Sequence, residues 1–552
     1  MKISLTFAAI SAAALFCGIC AQAQNNLNTS GVRFWLERAD AIRGPEPYGE
    51  DNYYNSLKLG TNSFRNFTAN DCSNSTKTGT ASFNCTHALD GTAAWDATAA
   101  YISNSFHINV LNTSSGTTPS WAYCGQWLNS NYTYGGVLYG FSHGENPKPG
   151  SSDTCGTNYG THHKTMTLWR SADSGLTWTN PVEVLDSQDA GTGETGEGDC
   201  TQIADTAYAY LFCRHPQDTT TRLARAPLST LSNTSGMFTK YDSGWGSQPG
   251  INGADSAISG TVYGTSTTSS HLGSSVSYWQ DQNWMMLLNI EDAGFGGLKA
   301  SFTGETNLES SSVGFTTVPV PLFVQETPGG SYPYGSNPPV NLYIYPSVVS
   351  LVDGTRTWNL TQKGQYLLVY TFVPPPNTLS QRILATRSVT VTTSGSALDP
   401  QMLVEIYTRY DSTFNQRYSS TQPVAYGTAS GSYAVGSFSQ VLVDPVAYLT
   451  QVAASNPVSQ GQTLTKIVEC RSTANWPSAT HPDRLLTSGS CDSNYTEDTV
   501  AGYTYPSKPA VGNSVELYRC TSSANGTHWV ANNSGCDGAG TAEKSLGWAL
   551  TK

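Results

Sequence analysis

Five acidic side chains stand out by their neighbours. Asp96 follows Trp95 in AAWDATAAYI, and Glu145 lies two residues after His143 in FSHGEN. Glu197 and Asp199 are two apart in GEGDC, and Asp255 sits in NGADSAI. Carboxyl groups in twos and threes, beside a histidine and a tryptophan, are the material of general acid–base catalysis. One carboxyl, kept protonated, gives a proton to a leaving oxygen. Another, ionised, activates water or attacks directly. The same residues also cap turns, so their role depends on the elements that place them.

Other chemistries lack their parts. There is no G-x-S-x-G elbow and no H-E-x-x-H pair. Beyond residues 1–23, no C-x-x-C or Cys/His cluster has metal-ligand spacing, so no metal site is expected. The stretch GTGETGEGD is glycine-rich but has no lysine and no helical context, and its acids would repel phosphate. It reads as a long mobile loop. His162–His163 and Arg214–His215 read as solvated loop residues.

The elements that must hold these groups are strands. Charged residues make up 12% of the 552 and aromatics 11%, with 52 Gly, 30 Tyr and 13 Trp. Few charges and many turn residues suit an exported all-β chain. The net charge of -12 argues against nucleic acid or anionic lipid as a partner. Residues 1–23 read as a secretory signal: Lys2, an apolar run, then Ala21-Gln22-Ala23 with cleavage after Ala23. No later run is long and apolar enough to span a bilayer. The ten cysteines after the signal, Cys72, Cys85, Cys124, Cys155, Cys200, Cys213, Cys470, Cys491, Cys520 and Cys536, suit disulfides. In order they make five local pairs, though sequence alone leaves the connectivity open. Asn-x-Ser/Thr sequons such as Asn66, Asn84, Asn112, Asn131 and Asn359 are plentiful.

From about residue 90 to 390, strand-like runs come in four clusters of three or four, with turn residues between them. The first cluster holds AAWDATAAYI, GVLYGFSH, TMTLWRS and PVEVLD. Repeated small antiparallel sheets of this kind predict a β-propeller. A fifth sheet would come from GVRFWLERADAIRGPEP and the residues just after it. Within the first cluster, SADSGLTW has Asp173 to cap turn amides, Gly175 for a positive φ and Trp178 to pack between blades. That run resembles the Asp box hairpin of sialidase blades, which is structural, so Asp173 is given no chemistry.

After residue 400, three units of about 50 residues come in succession, starting at MLVEIYTRY, KIVECRSTANW and VELYRCTSSAN. The last two share a frame: a Cys near the start, a second Cys 16 to 21 residues on, then G-Y or G-W. Three such units predict a small pseudo-threefold, trefoil-like β domain.

The order LYGFSHGEN, LWRSADSGLTWTNPVEVL, GEGDCTQIADTAYAYLFC, RLARAPLS, FTKYDSGWGSQPGINGADSAI and LYIYPSVV resembles secreted five-bladed propeller proteins of the arabinosidase, xylosidase and fructosidase clans. The C-terminal units resemble three-repeat "LYR…HF" modules appended to secreted hydrolases, which are regarded as glycan-binding. The first resemblance implies acidic residues near the starts of the blades' inner strands, and Asp96 and Asp199 match that placing. It makes Asp96 the general base, or the nucleophile of a retaining enzyme. Asp199 would orient substrate or raise the acid's pKa, with Glu197 able to take its place. Glu145 is the expected general acid, with His143 bonded to it or to a sugar hydroxyl. Trp95 would stack on sugar, and Asp255 is a further binding candidate. The chain departs from those clans in having no Glu at the head of the third cluster.

The reading is therefore an all-β chain: signal 1–23, five-bladed β-propeller 24–398 and trefoil-like three-repeat module 399–552. It would be a secreted monomeric glycoside hydrolase acting on a poly- or oligosaccharide. It needs no cofactor, although a channel Ca²⁺ is left open. A non-catalytic lectin-like protein is the alternative. A sialidase is a second alternative, but it needs an arginine triad that the strands do not offer.

Overall fold

The computed structural model describes residues 31–42, 52–69, 86–92, 106–107, 120–122, 124–147, 162–187, 194–215, 220–232, 237–258, 274–279, 284–291, 297–304, 341–358, 366–373, 382–393, 401–411, 415–422, 440–452, 456–474 and 481–552, with short pieces at 111, 308–309, 313–315, 320–323 and 477–478. Among these residues no helix is long and apolar enough to cross a membrane.

Strand β1 is Val32–Ile42. The first sheet contains β2 (Asn55–Gly60), β3 (Ser63–Ala69), β4 (Thr86–Gly91) and β5 (Phe106–His107). The second contains β6 (Gly125–Tyr134), β7 (Val137–Pro147), β8 (His162–Ser171) and β9 (Thr179–Leu185), with the short β10 (Thr195–Gly196) beside β8. The third runs β11 (Gly198–Ala204), β12 (Tyr208–His215), β13 (Thr220–Pro227), β14 (Thr239–Tyr241) and β15 (Trp245–Pro249). The fourth has β16 (Ser274–Trp279), β17 (Trp284–Glu291), β18 (Gly297–Thr303) and β19 (Val320–Phe323). All four are antiparallel meanders arranged as propeller blades, with their first strands packed side by side: β2 on β6, β6 on β11 and β11 on β16.

The next strands are β20 (Leu342–Ser350), β21 (Thr357–Trp358), β22 (Tyr366–Val373) and β23 (Ile383–Thr393). β20 packs between β16 and β2, and β21 adds to the edge of β16. β1 joins β23 antiparallel. The expected sheet around GVRFWLERADAI is thus one strand of this group, laid beside residues 383–393.

Apolar faces hold the sheets together. Phe67, Leu128, Trp169 and Trp178 fill the space between the first and second sheets. Phe141, Met166 and Leu185 meet Leu211, Ala224 and Phe238 between the second and third. Trp178 is fully buried and meets Phe67 edge-on at 6.0 Å. The turn before it is tied by its own polar groups. Asp173 accepts from the Thr177 backbone and hydroxyl at 2.9 and 2.7 Å, and the Gly175 N–H donates to Ser171 Oγ at 2.7 Å. Gly175 has φ +89, which only glycine adopts freely.

The first cluster differs from its expected composition. Its leading strand is β6, which was not anticipated, and a whole sheet (β2–β5) precedes it. AAWDATAAYI, carrying Trp95 and Asp96, lies outside the described residues. The place expected for Asp96, at the head of that sheet's first strand, is held by Cys124 and Gly125. The alternating polar and apolar pattern of GQWLNSNYTY is weak because that strand is buried on both faces over its first six residues.

The last third repeats one pattern. A long strand pairs with a short one on one side and a long one on the other. These are β24 (Gln401–Asp411) with β25 (Gln416–Ser420) and β26 (Gln440–Gln451). A ribbon of β27 (Val458–Ser459) and β28 (Gln462–Thr463) comes next. The second unit starts at β29 (Thr465–Ser472). It passes a ribbon of β30 (Pro477–Ser478) and β31 (His481–Pro482), then β32 (Arg484–Ser488) and β33 (Tyr495–Thr504). The third contains β34 (Asn513–Ser522), β35 (His528–Ala531) and β36 (Gly540–Thr551). The long closing strands meet one another: Thr450 with Tyr503, Tyr448 with Leu550, and Tyr505 with Trp548.

Disulfides Cys470–Cys491 and Cys520–Cys536 lie at matching places in the second and third units, and Cys200–Cys213 ties β11 to β12. Cys124 is also disulfide-bonded. Cys72, Cys85 and Cys155 lie outside the described residues. Such bonds suit an oxidising compartment. The first two-thirds and the last third share one sheet, because β1 pairs with β24 in parallel.

Candidate active site

Alternation along β7 puts His143 and Glu145 on one face, and along β8 it puts His162 and Lys164 on one face. The register sets Glu145 opposite Lys164, and residues 146–147 opposite 163–162. Four ionisable side chains thus gather at one end of the second sheet. The third sheet brings Asp199 against them from the start of β11.

Glu145 accepts from two histidines: His162 Nδ1 lies 2.9 Å from Oε2 and His143 Nε2 lies 3.4 Å from Oε1. The Asp199 backbone N–H donates to His143 Nδ1 at 3.2 Å, so the ring proton is on Nε2, facing Glu145 and, at 4.0 Å, Asp199 Oδ1. The two carboxyl groups therefore share one imidazole nitrogen between them. Trp127 lies along the His143 ring, centroids 5.5 Å apart. Asp199 Oδ2 takes Lys164 at 2.9 Å and Arg214 at 3.4 Å, and both cations also reach Glu194, at 3.5 and 3.2 Å.

The backbone here is unusual. Asp199 has φ +52, a left-handed conformation that costs a non-glycine residue about 1–3 kcal/mol. Gly198 must be glycine, since a Cβ there would stand 2.3 Å from His143 Nδ1. The kink breaks strand alternation, and pairing of β11 with β12 shifts register between Gly198 and Thr201. Glu197 and Asp199, two residues apart, consequently meet different partners. Glu197 Oε2 lies 2.8 Å from Lys240, which also holds Asp255 at 3.0 Å, and Arg222 binds Asp255 at 2.7 Å.

These surroundings split the carboxyl groups. Burial, helped by Asp255 and opposed by Lys240, pushes Glu197 up to about 8. Burial also opposes the charge on Asp199, but Lys164, His143 and Arg214 outweigh it and hold the group at about 2. For Glu145, burial is outweighed by His162 and His143, which keep it well below the usual range. Half-buried Glu183, beside Asp186, is pushed up to about 7 by burial first.

Sequence expectations meet this geometry unevenly. His143, Glu145 and Asp199 do come together. Glu197 and Asp255 form an adjoining cluster through Lys240. Trp95 and Asp96 lie outside the described residues. GTGETGEGD was read as a mobile loop, but residues 194–199 lie buried or half-buried against β8, with the Glu197 N–H bonded to the Lys164 carbonyl at 2.9 Å. Nor are the basic residues solvated. His162 and Arg214 are buried, and His163 is bonded to Asp186 at 2.6 Å and Thr195 at 2.9 Å. Sequence reading missed Lys164, Glu194, Arg222 and Lys240. The one available signal was alternation, which puts His162 and Lys164 on the face of β8 that the register turns toward Glu145. Among the described residues, no three His, Cys, Asp or Glu are placed to hold a metal.

Neither a family model nor a curated protein matches the chain. Solved structures do align with it. The catalytic domain of the Coprinopsis cinerea GH62 alpha-L-arabinofuranosidase is 12% identical over 64% of this chain and 97% of its own, with a TM-score of 0.39. A family 117 glycoside hydrolase from Zobellia galactanivorans is 12% identical over 64% and 90%, TM-score 0.38. A GH43 BlXynB mutant from Bacillus licheniformis is 9% identical over 93% and 100%, TM-score 0.37.

Proposed function

We propose that the chain is a secreted glycoside hydrolase, a five-bladed propeller with a trefoil-like glycan-binding module at its C-terminus. The fifth blade would be β20, β22, β23 and β1, closing the ring where Val349 and Leu367 pack on Tyr54. Ser171 to Trp178 would be an Asp box. One observation carries the catalytic reading: three buried carboxyl groups lie within two adjoining clusters, Glu145 on two histidines, Asp199 on Lys164 and Arg214, and Glu197 on Lys240, with burial raising Glu197 while its partners lower Asp199 and Glu145. That division is what glycoside hydrolysis needs.

Glu197 takes the role of proton donor, in place of Glu145, which its histidines keep charged. Glu145 and Asp199 stabilise positive charge developing on the sugar, and His143 fixes both. Asp96 remains the proposed general base or nucleophile. The full chain, offered plant and bacterial polysaccharides, should release sugar, and Glu197→Gln and Asp96→Asn should not. A binding-only reading draws on the ion pairs that pin Asp199. Glycan retention by the wild type with no sugar released from any substrate would select it.

A further inference from the structure

The axis on which the first strands converge carries a charge that the site above does not use. Arg356 lies in the turn between β20 and β21, its carbonyl accepting from the Tyr278 N–H at 2.9 Å. Its guanidinium donates to Ser275 Oγ on β16 at 3.3 Å, to the Asn129 carbonyl on β6 at 3.2 Å and to the Tyr54 carbonyl just before β2 at 3.5 Å. Three sheets contribute, so the group sits where they meet. Every partner is neutral, and each bond is at the long end of the range. Among the described residues, no carboxylate pairs with it. Only 7% of Arg356 is exposed, and burial, opposed by Tyr53, lowers it to about 10, so it stays charged.

A buried cation without a counter-charge is costly. A second observation concerns a residue that the guanidinium touches through its backbone. Asn129, whose carbonyl Arg356 touches, is 1% exposed, and neither its side-chain oxygen nor its nitrogen has a partner. Ser130 Oγ, on the next residue of β6, is also unpartnered. Buried polar atoms left open in this way call for a bound species. The guanidinium, the Asn129 amide and the Ser275 and Ser130 hydroxyls can all donate. The same positive charge disfavours a Ca²⁺ on this axis.

We propose that the propeller axis binds a small inorganic monoanion of chloride size, held by Arg356 with Ser275 and the amide of Asn129. The anion neutralises the guanidinium and links the first, second and fourth sheets. The site is independent of any hydrolytic activity.

The test monitors thermal unfolding of the full chain while bromide replaces gluconate at constant ionic strength. The wild type should gain stability saturably. Arg356→Met should lose the dependence, and Ser275→Ala should need about tenfold more bromide for half the effect. Crystals grown in bromide should show an anomalous peak within hydrogen-bond distance of the guanidinium. If Arg356→Met does not fold, Ser275→Ala and the crystal decide. A shift of equal size and midpoint in wild type and variants, or an axis without bromide, overturns the proposal. So does stabilisation by galacturonate alone, which would make Arg356 part of a substrate site.

Discussion

Two buried clusters of charge use the same residue types to different ends. In the C-terminal module, Arg484 meets Glu469 at 3.3 Å and Asp498 at 3.1 Å, and Arg471 adds to Asp498 at 3.3 Å. Glu469 stands in register opposite Leu486 and Thr499, and none of these acids or arginines has a positive φ. In the blades, Asp199 is forced into the left-handed region, and burial pushes Glu197 up while cations hold Asp199, two residues away, down. The module's cluster pairs its charges without any left-handed residue, although burial raises Glu469 too and the pairing shifts register beside it. The blade cluster combines backbone strain at Asp199 with carboxyl groups shifted in opposite directions. Stability alone does not explain that combination, and it is typical of reacting sites.

The sharpest way to break this contrast is to remove one acid from each cluster. Glu197→Gln should lower any sugar-releasing rate by about 10²- to 10⁴-fold, as loss of a proton donor does. Glu469→Gln should leave the rate unchanged. Equal losses in the two variants would erase the distinction. Next in size, Asp199→Asn leaves two buried cations, Lys164 and Arg214, sharing Glu194 alone and should cost about 3–5 kcal/mol in urea unfolding. Asp498→Asn should cost less, because Arg484 retains Glu469.

The pH dependence sharpens the same point. Asp199 is lowered from 3.8 to about 2, so its contribution, about 2 kcal/mol, is present above its unfolded value and disappears as pH falls toward 2. Glu197 is raised from 4.5 to about 8, so the folded state binds its proton more tightly. That contribution is complete below 4.5 and is lost as pH rises through about 8. Urea midpoints measured from acid to alkaline pH should therefore converge for wild type and Glu197→Gln on the alkaline side, or cross in favour of the variant. The smallest effect belongs to a turn outside both clusters. Ser171→Ala removes the acceptor of the Gly175 N–H and should cost about 1 kcal/mol with no change in rate.

Legibility varied for physical reasons. The turn around Asp173 was readable because the bonds of Ser171 and Asp173 that shape it fall within eight residues. The likeness of the last two C-terminal stretches was readable because their cysteines recur at matching spacing. Strand β6 was missed because a strand buried on both faces loses the alternation that marks it. Glu145 was expected to be the proton donor because FSHGEN shows one histidine. The second, His162, is 17 positions away and arrives only through the pairing of β7 with β8.

The amino-acid order by itself determined the all-β character, the turn chemistry and which acids stand beside a histidine or glycine. These are local properties, set by side chains a few positions apart. Which way each carboxyl is shifted was decided by tertiary structure, because the partners that set it, Lys164 and Arg214 for Asp199, and Lys240 and Asp255 for Glu197, come from strands and turns distant along the chain. Burial and the approach of charges in space govern ionisation, and neither is written in any short stretch of residues.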